Sequence, residues 1–155
     1  MKFNSALKNF VLVLFSTLLI SACSTAKKAS VDTVDDVYTG TDTVEYLANG
    51  VPDRVFFATN KSSLTTRSRD TLRKQATYLR KNKDLTVTIE GHADERGTRE
   101  YNLALGERRA NAAKDYLMTY GVSGKRISVI SYGKEKPVNP ASSPLAWSQN
   151  RRSVT

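Results

Sequence analysis

One stretch of this 155-residue chain carries side chains whose types and spacing could bind a small zwitterion. Asp94 stands in the polar loop Gly91-His92-Ala93-Asp94-Glu95-Arg96-Gly97-Thr98. Asn102, Leu105 and Arg109 follow at i, i+3, i+7. On a helix that spacing lines the three along one face. The first turn of a helix has free N–H groups and favours a carboxylate, and the planar fork of Arg109 suits a second, bidentate grip on one. Asp94 can accept from an ammonium, and Thr98 and Asn102 can hydrogen-bond either group. The same spacing also fits an internal Asp94–Arg109 ion pair on a solvated face. Spacing alone leaves both arrangements open.

Other chemistry is poorly supported. His92 beside Asp94 lacks a nucleophile: no Gly-x-Ser-x-Gly elbow is present, so a loop histidine making structural hydrogen bonds is expected. Gly91 and Gly97 are not followed by Gly-Lys-Ser/Thr and make no phosphate loop. With one Cys and one His in the chain, an internal disulfide framework and a self-contained zinc site are excluded. No cofactor, no metal and no catalytic residue is expected. Tyr132 and Trp147 read as core or rim residues, and Lys134, Lys136, Arg151 and Arg152 as a solvated basic rim.

The elements that must position these residues follow from periodicity. Arg54–Phe57 is a short strand after the turn residues Gly50, Pro52 and Asp53. Thr65–Lys81 is a helix with Leu72, Ala76 and Leu79 on its apolar face. Residues 85–90 alternate as a half-buried strand. A second helix runs from about Glu100 to Tyr120 and stops at Gly121. Its stripe of Leu103, Gly106, Ala110, Ala113 and Leu117 is small enough for close packing on a sheet. Residues 126–131 are a third strand, Pro137, Pro140 and Pro144 mark a long loop, and residues 151–155 pair as a last strand. The β-α-β-α-β-β order predicts an α/β two-layer sandwich with helices on one face of a mixed sheet.

The first 22 residues read as an export signal: Lys2 and Lys8, no acid, then the 11-residue apolar run Phe10–Ile20, too short for the ~20 residues a spanning helix needs. Ile20-Ser21-Ala22-Cys23 resembles a bacterial lipobox, which makes Cys23 the lipidation site. Several acyl chains exceed what stable anchoring requires, and Ser24 after the cysteine points to the outer membrane. Residues 23–50 are expected to be the lipidated cysteine and a flexible tether, and residues 51–155 the domain. The net charge of +9 is uneven: residues 24–53 carry −4 and residues 54–155 carry +11. A basic body suits an anionic partner, and export excludes nucleic acid.

The segments GHADERGTREYNLALGERRANAAKDYL (91–117) and ISVISYGKEKP (127–137) resemble the OmpA-like peptidoglycan-binding domain family, from about Arg54 to Val154. The family pattern N-x2-L-S-x2-R-A-x2-V-x3-L falls on Asn102, Leu105, Gly106, Arg109, Ala110, Ala113 and Leu117, with Gly106 for Ser and Ala113 for Val. The resemblance implies non-covalent binding of the diaminopimelate stem peptide of peptidoglycan. Asp94 and Arg109 would contact its free amino-acid end, with Thr98, Asn102, Leu105 and Phe57 on the pocket edge. It also implies periplasmic Tol proteins as partners and a role in envelope integrity and cell division. The competing expectation is an envelope protein-interaction hub with weak wall binding. Lipoprotein members of the family usually read Phe-Asp after the first strand. Here the residues are Phe57 and Ala58, so one carboxylate is missing.

Overall fold

The structure is a computed structural model that describes residues 36–155. Cys23 and the export segment lie outside these residues. A four-stranded sheet is built from β3 (Arg54–Phe56), β4 (Val87–His92), β5 (Ile127–Gly133) and β6 (Arg152–Val154). A two-stranded hairpin of β1 (Tyr46–Ala48) and β2 (Val51–Pro52) precedes it. The helices are α1 (Thr66–Lys81), α2 (Arg99–Thr119) and α3 (Pro144–Asn150). The sheet order is β3-β6-β4-β5. β4 and β5 are parallel, joined by α2, while β6 is antiparallel to both its neighbours. This is the mixed α/β two-layer architecture expected from the sequence.

The two long helices begin on threonine caps. Thr65 and Thr98 each accept a hydrogen bond from the N–H three residues on, which satisfies a donor the helix itself leaves free. α2 ends as predicted at Gly121, whose φ of 84° suits glycine. The Gly121 N–H bonds the Met118 carbonyl and the Val122 N–H bonds that of Leu117, the paired closure of a Schellman cap. Val122 then joins the core with Leu117. Val55, Phe57, Leu72, Ala76, Leu79, Ile89, Ala110, Ala113 and Ile127 complete most of it.

Two expectations change. Pro144 does not prolong a loop. It opens α3, where its missing N–H costs nothing and Ser143 supplies the cap. The last strand, β6, pairs as expected and lies inside the sheet. From Asp36 onward, the segment expected to be tether lies against the domain. Tyr38 is buried edge-on to Phe56, with ring centroids 4.8 Å apart. Asp42 accepts from the Gln149 amide at 2.9 Å, the Asp53 N–H donates to the Glu45 carbonyl, and the Glu45 N–H donates to the Asp53 carboxylate. Isolated apolar residues with scattered acids give no periodic signal, so these contacts are invisible to pattern reading.

Candidate functional site

Asp94 follows β4 by two residues and is only 7% exposed. Both its oxygens are occupied by arginines. Arg96 binds Oδ1 through Nε at 3.0 Å and through its backbone N–H at 3.1 Å, and Oδ2 through Nη2 at 2.8 Å. Arg151 Nη1 reaches Oδ2 at 3.5 Å. Burial alone would raise the Asp94 carboxyl, but the Arg96 hydrogen bonds and the charge of Arg151 outweigh it and hold the group below its usual range. Asp94 is therefore an anion at neutral pH.

Arg109 has neither the Asp94 ion pair nor the open fork that its spacing allows. Its residue is 0% exposed, and each guanidinium nitrogen donates to a backbone carbonyl. Nε binds Lys61 O at 2.9 Å, Nη1 binds His92 O at 2.8 Å and Nη2 binds Ala58 O at 3.1 Å. The guanidinium also lies 5.3 Å from the centroid of the buried Phe57 ring. Burial first, then repulsion by Arg151, lowers its pKa to about 10, so it remains charged. Arg109 ties the loop after β3 to the end of β4 and places a positive charge beneath the site.

The other expected residues also turn inward. The Thr98 hydroxyl is committed to capping α2. Asn102 is buried and donates to the Arg96 carbonyl at 2.9 Å, which fixes the loop that carries Asp94. Leu105 is buried beside them. Asn102, Leu105, Arg109 and Phe57 thus support the site from within, and Asp94 stands against the arginines of its wall.

What faces solvent is a cavity of about 310 Å³ lined by Asp36, Val37, Thr59, Arg96, Pro144, Trp147, Ser148 and Arg151. The two arginines on its wall are those that hold Asp94. Arg96 stacks on Trp147, 4.3 Å from the ring centroid, a favourable cation–π placement. The Trp147 indole N–H donates to Glu95 at 2.8 Å. The Thr59 N–H on the same wall donates to the Asp36 carboxylate at 2.6 Å. Acid and base therefore stand side by side, an arrangement that can receive an ammonium and a carboxylate together.

A model of the OmpA family matches residues 56–151. The chain belongs to the OmpA family. It is 57% identical over 105 residues to the peptidoglycan-associated lipoprotein of Rhizobium meliloti, covering 68% of this chain and 60% of that protein. The peptidoglycan-associated lipoprotein of Brucella melitensis is 43% identical over 150 residues, covering 93% of this chain and 88% of that one. Among solved structures, the peptidoglycan-associated lipoprotein from Burkholderia pseudomallei superimposes with a TM-score of 0.64 at 38% identity, over 66% of this chain and 86% of that chain. These relatives are named for an association with peptidoglycan, not for a reaction.

Sequence reasoning about this OmpA-family domain missed Arg151, Arg96 and Asp36 on the cavity wall, whereas Trp147, expected in the core or on the pocket rim, lines it. Arg151 was expected on a solvated rim, yet it is 3% exposed, as Arg152 is also buried. The available signal was position: Arg151 directly precedes β6 and Arg152 opens it, where the strand enters the sheet interior and a charged side chain must be paired. His92 was expected to make structural hydrogen bonds in the loop. It instead ends β4, buried, and neither ring nitrogen has a hydrogen-bond partner among the described residues. Burial, then the positive charge of Arg152, pushes its pKa down to about 3. The unfolded chain, with an ordinary histidine near 6.5, binds the extra proton between those values. Stability therefore falls as pH drops from about 6.5 towards 3, by at most about 1.4 kcal/mol per pH unit from this group. His92→Gln is expected to flatten urea-unfolding stability over that window. An unchanged slope would show that other groups cause it.

Proposed function

We propose that this domain grips the free amino-acid end of the diaminopimelate side chain in peptidoglycan stem peptides. Lipid on Cys23 would hold the outer membrane, so that the protein tethers membrane to wall within the Tol–Pal system during envelope constriction. The observation that carries the reading is the buried, ionised Asp94 set against Arg96 and Arg151 at the cavity wall. The ligand's ammonium is assigned to Asp94, and its carboxylate to the arginines and the Thr59 N–H. Arg109 works from below through its charge and its three carbonyls. The names of the Rhizobium, Brucella and Burkholderia relatives support the same wall partner. The missing carboxylate at Ala58 leaves its backbone carbonyl still tied to Arg109, so the loop keeps its anchor.

Leu145, 59% exposed on α3 beside the cavity, gives a protein partner an apolar foothold. This favours Tol proteins docking at the same mouth and competing with the wall.

The test is co-sedimentation of the full chain, in detergent, with purified peptidoglycan. Asp94→Asn keeps shape but removes the charge. Loss of charge-assisted hydrogen bonds predicts binding weaker by about 10- to 100-fold. Equal pelleting of both proteins, released by salt, would reduce the interaction to the basic charge acting on an acidic polymer. A folded wild-type protein that stays in the supernatant would favour the protein-partner reading.

A further inference from the structure

The carboxylate of Asp36 already sits in the part of the cavity assigned above to the ligand's carboxylate. Its Oδ2 accepts the Thr59 N–H at 2.6 Å and pairs with Arg151 Nη2 at 3.5 Å. The same Arg151 nitrogen also donates to the Asp36 carbonyl. Burial would raise the Asp36 carboxyl, but the Thr59 hydrogen bonds and Arg151 hold it below its usual range. The remaining nitrogens of Arg151 are committed as well: Nε to the Phe57 carbonyl and Nη1 to Asp94. One N–H and one engaged guanidinium cannot serve two carboxylates at once.

We propose that Asp36 is a built-in competitor for this seat: its carboxylate fills the Thr59–Arg151 position when no wall peptide is bound and must leave for one to bind. The proposal rests on the pocket reading given above. A tethered carboxylate acts at an effective concentration on the order of millimolar. It can therefore hold the seat against small free anions but yield to a ligand that also engages Asp94. Occupancy of about 90% would weaken apparent affinity about tenfold.

The experiment measures binding of an L-Ala–γ-D-Glu–diaminopimelate tripeptide to the full chain in detergent. It compares wild type with Asp36→Ala, each with and without Asp94→Asn. Asp36→Ala is expected to bind about tenfold tighter. Its Thr59 amide proton is expected to move upfield in the ¹H–¹⁵N spectrum through loss of the short hydrogen bond. Equal or weaker binding by Asp36→Ala, or an unmoved Thr59 amide, overturns the competition. If Asp94→Asn still weakens binding by about 10- to 100-fold in that case, the pocket reading stands and only the competition falls. If neither wild type nor Asp36→Ala binds the tripeptide, both fall.

Discussion

Arg109→Ala is expected to lower the unfolding free energy by about 3–5 kcal/mol, a large share of the ~5–15 kcal/mol typical of a domain. The cause is not the loss of a ligand contact. Removing the guanidinium leaves the carbonyls of Ala58, Lys61 and His92 buried without their donors, and it opens a void against Phe57. The melting temperature should fall by on the order of 15 °C. Arg109→Lys should recover less than half of the loss, because a single ammonium cannot span three carbonyls that a planar fork reaches together. Urea melts of the three proteins check this. An alanine variant as stable as wild type would show that the carbonyls find water and that Arg109 serves the ligand alone. The consequence for binding studies is direct: a loss of wall binding on Arg109→Ala reports folding unless stability is measured beside it, and Asp94→Asn, which leaves the buried Arg151 a partner short, needs the same control.

Gly91→Ala should be the most damaging single methyl in the domain. An added Cβ would stand 1.8 Å from the Gly106 carbonyl oxygen and 2.4 Å from its carbon. Both are α2 backbone atoms, so no rotamer relieves the clash. α2 would have to retreat from β4 by more than an ångström, against an overpacking cost of at least about 3 kcal/mol. Gly106→Ala meets the Ser131 hydroxyl at 2.3 Å and the Gly91 carbonyl oxygen at 2.8 Å. The hydroxyl can rotate, at the cost of its hydrogen bond to the Leu103 carbonyl, so about 1–3 kcal/mol is expected. The order Gly91→Ala worse than Gly106→Ala is the checkable result, by thermal unfolding. A Gly91→Ala protein that still folds should also bind wall peptide weakly, because the retreat carries Asn102, Leu105 and Arg109 away from the cavity. Wild-type stability in Gly91→Ala would mean that the sheet and helix can separate without loss.

Much of this was legible in local pattern. Leu72, Ala76 and Leu79 at helical spacing gave α1 to within a residue, and Gly121 gave the end of α2. Gly106, Ala110 and Ala113 announced a helix pressed onto a sheet. The loop holding Asp94 and the helix face holding Asn102 and Arg109 were correctly brought together. Each of these signals is a relation between residues a few positions apart, set by the 3.6-residue and two-residue repeats of helix and strand.

The partners of the charged groups were decided only by the fold. Arg109 and Asp94 are near in sequence and matched in charge, yet Arg109 went to carbonyls 17, 48 and 51 residues away. Asp94 went to Arg96 and to Arg151, 57 residues on. Asp36 met Arg151 across 115 residues. Periodicity states which face a side chain takes, and charge states what it could pair with. Which pairing forms depends on which backbone the sheet order brings within about 3 Å and strips of water, because a buried guanidinium must satisfy its donors with whatever acceptors lie there.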